Sequence, residues 1–256
     1  MKAEKVVETM KKKIISVIGV ILVIITVVLS VVYLRGGSGG GMSKEDMEKD
    51  QVLREELQET ANTPGSSGEA DEAAKAFAAT LKEKRGIDVD ARNIVSTGKP
   101  LVSGQFTFTV NSWNISKEYP GYEPPEGVDL TEWTGAEVDG NGNITNDFTY
   151  VTVDISAENM KAEEVTQLIW GMIRLRIFDS GDYTGEAIYY GRDIEREYGH
   201  YYGQETFQAN ETKSVVLIFV VKDELLQNQE MYLEINPSGA QTVNPDYDVR
   251  RFIILN

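Results

Sequence analysis

The chain of 256 residues has a formal net charge of −16, no cysteine and a single histidine. The acidity argues against a nucleic-acid partner, because the phosphates would be repelled. The absence of cysteine excludes disulfides, cysteine nucleophiles and cysteine-ligated zinc, and one histidine excludes a multi-histidine metal site, so we expect neither a cofactor nor a bound metal.

An uncharged apolar segment at residues 14–34 (IISVIGVILVIITVVLSVVYL) dominates the N-terminal region. As a helix, it would extend about 31 Å, close to the ~30 Å hydrocarbon core of a bilayer. A cleaved signal peptide would have a shorter apolar region followed by a small-residue cleavage site, and a buried core helix would show a polar face. The segment is longer than the apolar region of a signal peptide, and it has neither such a cleavage site nor a polar face. It therefore predicts a single transmembrane helix in contact with the lipid bilayer.

The flanking charges predict the orientation of this helix. Residues 1–13 form a basic tail with five lysines and two glutamates, whereas residues 36–256 carry −20 once the tail (+3) and Arg35 are removed from the total of −16. The positive-inside rule places the tail in the cytoplasm. We therefore expect a single-pass signal-anchor protein of the cell membrane with an extracytoplasmic C-terminal domain.

Residues 35–68 are predicted to form a flexible hinge and stalk. The hinge is the segment GGSGGG at 36–41, and residues 61–68 (ANTPGSSG) form a break before the next helix. Between them, residues 43–60 contain helix-forming residues with only a thin apolar stripe. This pattern favours a solvated helical or partly disordered stalk over a coiled coil.

Residues 69–86 predict an amphipathic helix, because small and apolar residues recur with helical spacing from Ala70 to Leu81. Ser66 and Glu69 are the expected capping box, and Gly86 is the expected end of the helix. We expect the helix to dock on an edge or an end of the following domain, with a free helical spacer as the alternative.

From residue 89 onward the hydrophobic period changes to two, which predicts strands with one face on the core and one face in water. The alternating segments are Phe106–Val110, Val151–Ile155 and Met231–Ile235. Leu168–Phe178 and Val215–Val221 are apolar on both faces over part of their length, which predicts covered central strands. The apolar phase shifts after Val110, and this shift predicts a bulge or strand end near Asn111–Ser112.

With a weak strand at 92–97 and a last strand at 249–255, about seven strands are expected and no strong helix lies among them. Residues 89–256 are therefore predicted to be mainly β, as an immunoglobulin-like antiparallel β-sandwich preceded by the transmembrane helix and the helical stalk. The spacing Cys–Trp–Cys of antibody domains is absent from this cysteine-free chain.

Three segments also resemble a known family. They are Gly104–Ile115 (GQFTFTVNSWNI), Phe148–Asn159 (FTYVTVDISAEN) and Glu211–Val221 (ETKSVVLIFVV). Their arrangement is similar to that of uncharacterised immunoglobulin-like extracytoplasmic domains in Gram-positive bacterial lipoproteins and membrane-anchored proteins. The resemblance implies a surface domain of unknown function without catalytic residues. Members of that family are usually held by a lipidated cysteine, whereas this chain has a helix in that role.

Two long connections carry clusters of aromatic residues. The first spans residues 118–146, and the second lies around residues 181–203. Long loops on a rigid sandwich often bind partners, and tyrosines supply rigid amphipathic contact area. The candidate ligand-binding residues are Tyr119, Tyr122, Trp133, Tyr198, His200, Tyr201 and Tyr202. The alternative is that these rings only cover the sheet edges and hold the loops in place.

The segment DGNGN at 139–143 resembles the start of an EF-hand loop, but Ile144 and Tyr150 occupy the positions that require glycine and glutamate. A turn is therefore favoured, with a weak calcium site as the alternative. Among 41 acidic residues, no carboxylate pair of the kind used in glycoside hydrolysis can be distinguished.

We therefore expect a non-catalytic, surface-anchored module that binds an unknown ligand. The alternative is an accessory subunit of a membrane complex, such as an exporter, an envelope-stress sensor or a peptide-immunity system, in which the anchor contacts a membrane or cell-surface protein. A third hypothesis is a hydrolase that uses a carboxylate pair.

Overall fold

In the computed structural model of the chain, the described residues are 51–52, 55, 58–59, 62–66, 70–178, 184–192, 205–227, 230–237 and 249–256. The predicted basic tail, membrane segment and glycine-rich hinge lie outside these ranges. Within them, no helix is both long enough and apolar enough to cross a bilayer. All of the described residues belong to one compact unit, which extends from Gln51 to Asn256.

From residue 70 onward, the described part of the chain forms three α-helices and twelve strands. The helices are α1 (Glu72–Arg85), α2 (Leu130–Thr134) and α3 (Asp223–Leu226). The strands are β1 (Ile94–Ser96), β2 (Leu101–Ser103), β3 (Phe106–Ser116), β4 (Phe148–Asn159), β5 (Val165–Gln167), β6 (Ile173–Ile177), β7 (Thr184–Glu186), β8 (Tyr189–Tyr190), β9 (Glu205–Phe207), β10 (Thr212–Lys222), β11 (Met231–Ile235) and β12 (Arg251–Leu255).

Two five-stranded sheets pack face to face. The first sheet has the order β1-β12-β11-β6-β7 and the second has the order β2-β3-β4-β10-β8, while β5 pairs with β9 separately. All pairings are antiparallel except that of β1 with β12. The prediction of a mainly β, antiparallel sandwich is therefore confirmed. The strands within the described ranges outnumber the seven expected, because strands of two or three residues at the sheet edges leave little periodicity in the sequence.

The main core lies between the sheets and is built from alternate residues of each long strand. The second sheet contributes inward-facing residues such as Val153 and Phe219, and the first contributes residues such as Leu175 and Leu233, all fully buried. The predicted irregularity after Val110 is also confirmed, since the β3–β4 register shifts between Val110 and Ser112. The alternating pattern therefore identifies the inward faces correctly.

Helix α1 covers the outer face of the first sheet. Phe77 packs on Phe178 and Tyr232, with ring centroids 5.3 and 5.1 Å apart, and Leu81 is fully buried beside them. The docking surface is thus a sheet face, not the edge or end that we expected. The expectation that β11 has one face in water was also wrong, because α1 covers Tyr232, and Glu234 is buried where it pairs with Arg176 of β6.

The ends of α1 are set by local hydrogen bonds. The Asp71 side chain accepts a hydrogen bond from the Ala74 amide at 2.8 Å and caps the N-terminus, so the predicted capping box of Ser66 and Glu69 was wrong. Gly86 ends the helix in the left-handed conformation with φ 66°, as expected.

The connection from 117 to 147 covers the outer face of the second sheet. Its buried residues Leu130, Ala136 and Ile144 pack on the outward side chains of β4, β8 and β10, including Ile218 and Val220. Strand β10 is therefore buried on both faces over much of its length, as the sequence predicts. Leu168–Phe178 is the other segment that is apolar on both faces. Within it, only 173–177 is a strand, and Trp170–Met172 forms a 3-10 turn.

A short strap, residues 63–65, ties the chain upstream of α1 to the sandwich. Gly65 accepts a hydrogen bond from the Val102 amide at 2.7 Å and donates one to Asn93 Oδ1 at 2.9 Å. Thr63 O accepts a hydrogen bond at 2.9 Å from the fully buried Arg251. These strap residues, which the sequence analysis assigns to the stalk, are thus attached to strand β2 and to the first residue of β12.

The strap leaves no room for a side chain at Gly65. A Cβ at this position would lie 2.7 Å from Leu101 Cδ1 and 3.1 Å from Arg251 Cδ. We expect Gly65→Ala to lower the free energy of unfolding by about 1–2 kcal/mol through overpacking. Chemical denaturation of the full-length protein measures this change. Gly140→Ala is the matched control, since its Cβ would meet nothing within 4 Å; equal stability of the two variants would contradict the tight fit of the strap.

Candidate functional site

The structure separates the aromatic residues that the sequence analysis groups together. Tyr119 and Tyr122 line one cleft, whereas Trp133 lines a different groove. The remaining candidates, Tyr198, His200, Tyr201 and Tyr202, lie outside the described residues.

The tyrosine cleft has a volume of about 330 Å³ and lies on the outer face of the second sheet. Its walls include the first residues of the long connection, from Glu118 to Tyr122. Its floor consists of residues of three adjacent strands whose side chains share the outward face: Ser112, Asn114, Ser116, Tyr150, Thr152, Asp154 and Val216. The cleft therefore combines a rigid β floor with an aromatic wall.

Tyr119 is held in place by the turn at 139–143. Its amide donates a hydrogen bond to Asn143 Oδ1 at 2.9 Å, and its ring lies on Gly142. A Cβ at Gly142 would lie 2.9 Å from Tyr119 Cδ2, and the φ of +84° also favours glycine there. Gly142 O accepts a hydrogen bond from the Tyr150 hydroxyl at 3.0 Å. This turn thus supports both a wall tyrosine and a floor tyrosine of the cleft.

Tyr122 is supported from the opposite side. A Cβ at Gly191, the residue after β8, would lie 3.1 Å from Tyr122 Cζ and 2.9 Å from Val216 Cβ. The Tyr122 ring therefore rests on the Gly191 backbone beside the floor residue Val216. About a third of Tyr122 stays exposed (36%), so part of the side chain is available to a ligand.

The Asp139 carboxylate stabilises the turn at 139–143 through hydrogen bonds. It accepts hydrogen bonds from the amides of Asn141 and Asn143 at 2.8 and 2.9 Å and from Asn143 Nδ2 at 3.1 Å. These bonds, led by that from the Asn143 amide, lower the pKa of Asp139. The geometry is that of the favoured turn, and within the described ranges no group of three or more histidine, cysteine, aspartate or glutamate residues is arranged to hold a metal ion.

The charged side chains that line the tyrosine cleft in the described part of the chain are acidic. Glu118 and Asp154 line it, and the Asp154 carboxylate accepts a hydrogen bond from Asn111 Nδ2 at 3.0 Å. Lys117 binds elsewhere, with its Nζ 2.8 Å from Asp223 Oδ2. Burial, together with the charge of Glu123, raises the pKa of the Tyr119 phenol, so this phenol is neutral at physiological pH.

Trp133 lies in a larger groove of about 990 Å³, here called the tryptophan groove, and is 52% exposed. The cations that line this groove have acidic neighbours. Arg174 pairs with Glu186 at 3.0 Å, Arg176 pairs with Glu234 at 3.0 Å, and Lys222 lies 3.8 Å from Glu224. The tryptophan groove thus offers an exposed indole, while its charges are largely compensated internally.

Arg192 and Glu205, the described residues on either side of segment 193–204, form an ion pair, here called the clamp. Arg192 Nη2 lies 2.6 Å from both carboxylate oxygens of Glu205, and Trp170 Nε1 and Lys213 also contact this carboxylate. Burial acts to raise the pKa of Glu205, but the hydrogen bonds from Arg192 and Trp170 outweigh it and the pKa is lowered. The clamp thus holds Arg192 and Glu205 together.

Tyr150, Asp154 and the other floor residues were missed by the sequence analysis. The alternation along β4 could have identified them, because residues 150, 152 and 154 alternate with the apolar core positions 151, 153 and 155 and therefore share the outward face. On β3, the shift in register after Val110 brings Ser112 opposite Asp154.

Comparison with known proteins gives only distant likenesses. No protein-family model matches the sequence, and no curated protein matches it. Among solved structures, the yjhA protein from Bacillus subtilis is 18% identical, with 63% of this chain and 99% of that chain covered and a TM-score of 0.39.

Two further solved structures are similar to the chain at the same level. An uncharacterised beta-sandwich protein from Clostridium difficile is 13% identical, covers 64% of this chain and 93% of its own, and has a TM-score of 0.35. A candidate lipoprotein, ycdA from Bacillus subtilis, is 13% identical, with 62% and 39% covered and a TM-score of 0.32. With TM-scores this low, the β-sandwich assignment depends on the sheets of this chain themselves.

Proposed function

We propose that the chain is a membrane-anchored, extracytoplasmic binding module without catalytic activity, and that its ligand contacts the tyrosine cleft. The observation that supports this proposal most strongly is the arrangement of the side chains in this cleft. Two wall tyrosines rest on the glycines Gly142 and Gly191, above a floor of outward side chains from three strands. Such an arrangement presents preorganised aromatic surface, which lowers the entropy lost on binding.

The proposal includes an immunoglobulin-like topology, which the strand order supports. Strands β3-β4-β10-β8 have the order A-B-E-D of an immunoglobulin sheet, and β12-β11-β6-β7 have the order G-F-C-C′. In this assignment the letters also follow the chain from β3 to β12. The short strands β1 and β2 are then additions at the sheet edges. The resemblance to uncharacterised surface domains of Gram-positive bacteria is part of the same proposal.

The membrane anchor in this proposal is the apolar segment 14–34, with the basic tail 1–13 in the cytoplasm. Its length, its lack of charge and the contrast between the basic tail and the acidic remainder support this placement. The anchor would tether the domain, and the domain would provide the specificity.

A pair of variants tests this division of roles. The full-length protein is crosslinked in its native membrane, and the molecules that co-purify with it are identified. We expect Tyr119→Ala combined with Tyr122→Ala to lose the captured ligand, because both variants remove wall contacts of the cleft. Replacement of residues 14–34 by an unrelated spanning helix should leave capture unchanged.

The opposite pattern, loss of capture on replacement of the anchor and retention without the tyrosines, would overturn the proposal in favour of an accessory subunit. Hydrolysis of cell-wall or protein substrates by the purified protein, abolished by substitution of a single carboxylate, would instead favour an enzyme.

A further inference from the structure

The lining of the tyrosine cleft combines aromatic rings and carboxylates with hydroxyl, amide and apolar side chains. Three of its residues are tyrosines, namely Tyr119 and Tyr122 in the wall and Tyr150 in the floor, which is only 1% exposed, and two are carboxylates, Glu118 and Asp154. No lysine or arginine lines it within the described part of the chain. Trp113 also borders the cleft, but it packs towards the core between the sheets.

We propose that the tyrosine cleft binds an organic ammonium group, presented either by a small quaternary ammonium compound or by a lysine side chain. This inference rests on the proposed function and specifies the ligand class of the same site. Aromatic faces attract ammonium groups through the ring quadrupole, and groups of aromatic side chains are a known solution for quaternary ammonium recognition.

The carboxylates supply the complementary charge. In the described ranges, no basic side chain forms an ion pair with Glu118 or Asp154. The two cations nearest in sequence to the cleft walls are engaged elsewhere, since Lys117 binds Asp223 and Arg192 binds Glu205. Among the described residues, no cation therefore neutralises the two carboxylates inside the cleft, and the −20 charge of residues 36–256 would concentrate cations around the domain.

The same features disfavour an anionic ligand. A carboxylate or phosphate would meet Glu118 and Asp154, and no cation among the described lining residues would offset the repulsion. A neutral sugar would stack on the tyrosines but would make no use of the two charges. The tryptophan groove is less suited to a cationic ligand, because Arg174, Arg176 and Lys222 line it.

Calorimetric titration of the full-length protein tests the inference. The protein is held in polyoxyethylene ether micelles, which carry neither ammonium nor sugar groups. The probes are choline and its uncharged carbon analogue 3,3-dimethylbutanol, and N-acetyl-lysine methylamide and its Nζ-acetylated form. Chitotetraose serves as a neutral glycan probe. We expect at least one charged probe to bind about tenfold more tightly than its neutral partner, and the binding to weaken with added salt. Which charged probe binds identifies the source of the ammonium group.

Three variants connect binding to the cleft. We expect Tyr122→Leu and Asp154→Asn each to lower the affinity for the charged probe by about threefold to tenfold. Glu224→Gln, in the tryptophan groove, should leave the affinity unchanged. The thermal unfolding midpoint of each variant is measured in parallel, and Asp154→Asn, which preserves side-chain shape, reports on the charge even if Tyr122→Leu unfolds.

Equal binding of charged and neutral partners, or no binding of any charged probe, would overturn the inference. Binding of chitotetraose alone, lost in Tyr122→Leu, would refute ammonium recognition and retain the tyrosine cleft as the binding site. A different result would contradict the proposed function, namely that crosslinking in the membrane captures the same molecules when Tyr119 and Tyr122 are replaced by alanine.

Discussion

Phe77→Ala is expected to lower the free energy of unfolding by about 3–4 kcal/mol. Phe77 is 5% exposed and is the central aromatic contact between α1 and the outer face of the first sheet. Its ring meets Phe178 in a tilted geometry and Tyr232 nearly edge to face, which adds to the energy of simple burial. Truncation would leave a cavity that the rigid sheet cannot close.

Urea denaturation of the full-length protein, followed by circular dichroism, measures this loss. Glu83→Ala is the matched control, because Glu83 is exposed on the same helix and alanine favours helix formation. If Phe77→Ala were as stable as Glu83→Ala, helix α1 would not be an integral layer of the domain. Helix α1 would then be only a spacer.

Glu205→Gln is expected to lower the free energy of unfolding by about 2–3 kcal/mol. The Glu205 side chain is 8% exposed and accepts hydrogen bonds from Arg192 and Trp170. A neutral amide would lose the ion pair and turn one N–H group towards a donor. Arg192 and Lys213 are partly exposed and can rotate into water, which is why the loss is smaller than for a fully buried pair.

The effect of Glu205→Gln should depend on pH in a defined direction. Because the pKa of Glu205 in the folded protein lies below its ordinary value of 4.5, the clamp stabilises the fold above that pH. Its contribution is lost as the pH falls through the lowered pKa. Denaturation at pH 7 and pH 3 should therefore show a larger difference between wild type and variant at pH 7 than at pH 3.

Glu158→Gln is the control for this experiment, since Glu158 is an exposed residue of β4. Its substitution should change stability by less than about 0.5 kcal/mol at either pH. A gap between wild type and Glu205→Gln that widens on acidification would contradict the assigned role of the clamp.

Inward-facing positions were predictable because they follow from local periodicity. The alternation over 151–155 and 231–235 identified core residues, and the doubly apolar segment 215–221 correctly indicated a strand covered on both faces. The identity of the covering layer was not predictable. The burial of Tyr232 depends on α1, which lies about 150 residues earlier in the chain and meets β11 only through tertiary packing.

The candidate site shows the same division between local and non-local information. Composition and loop length pointed to Tyr119 and Tyr122, and the structure places both in one cleft. The separation of Trp133 from them follows from the path of the long connection across the sheet, which no local pattern encodes. The support of Tyr122 by Gly191 joins residues 69 positions apart and is likewise a tertiary feature.

The central claim is that the tyrosine cleft, and not the tryptophan groove, is where this protein meets its ligand. Site-specific photo-crosslinking in the native membrane tests it most directly, with p-benzoylphenylalanine in place of Tyr122 in one protein and in place of Trp133 in another. We expect a discrete crosslinked product from position 122, suppressed by excess ammonium probe, and none from position 133. A product from position 133 alone would contradict it and would transfer the binding function to the tryptophan groove.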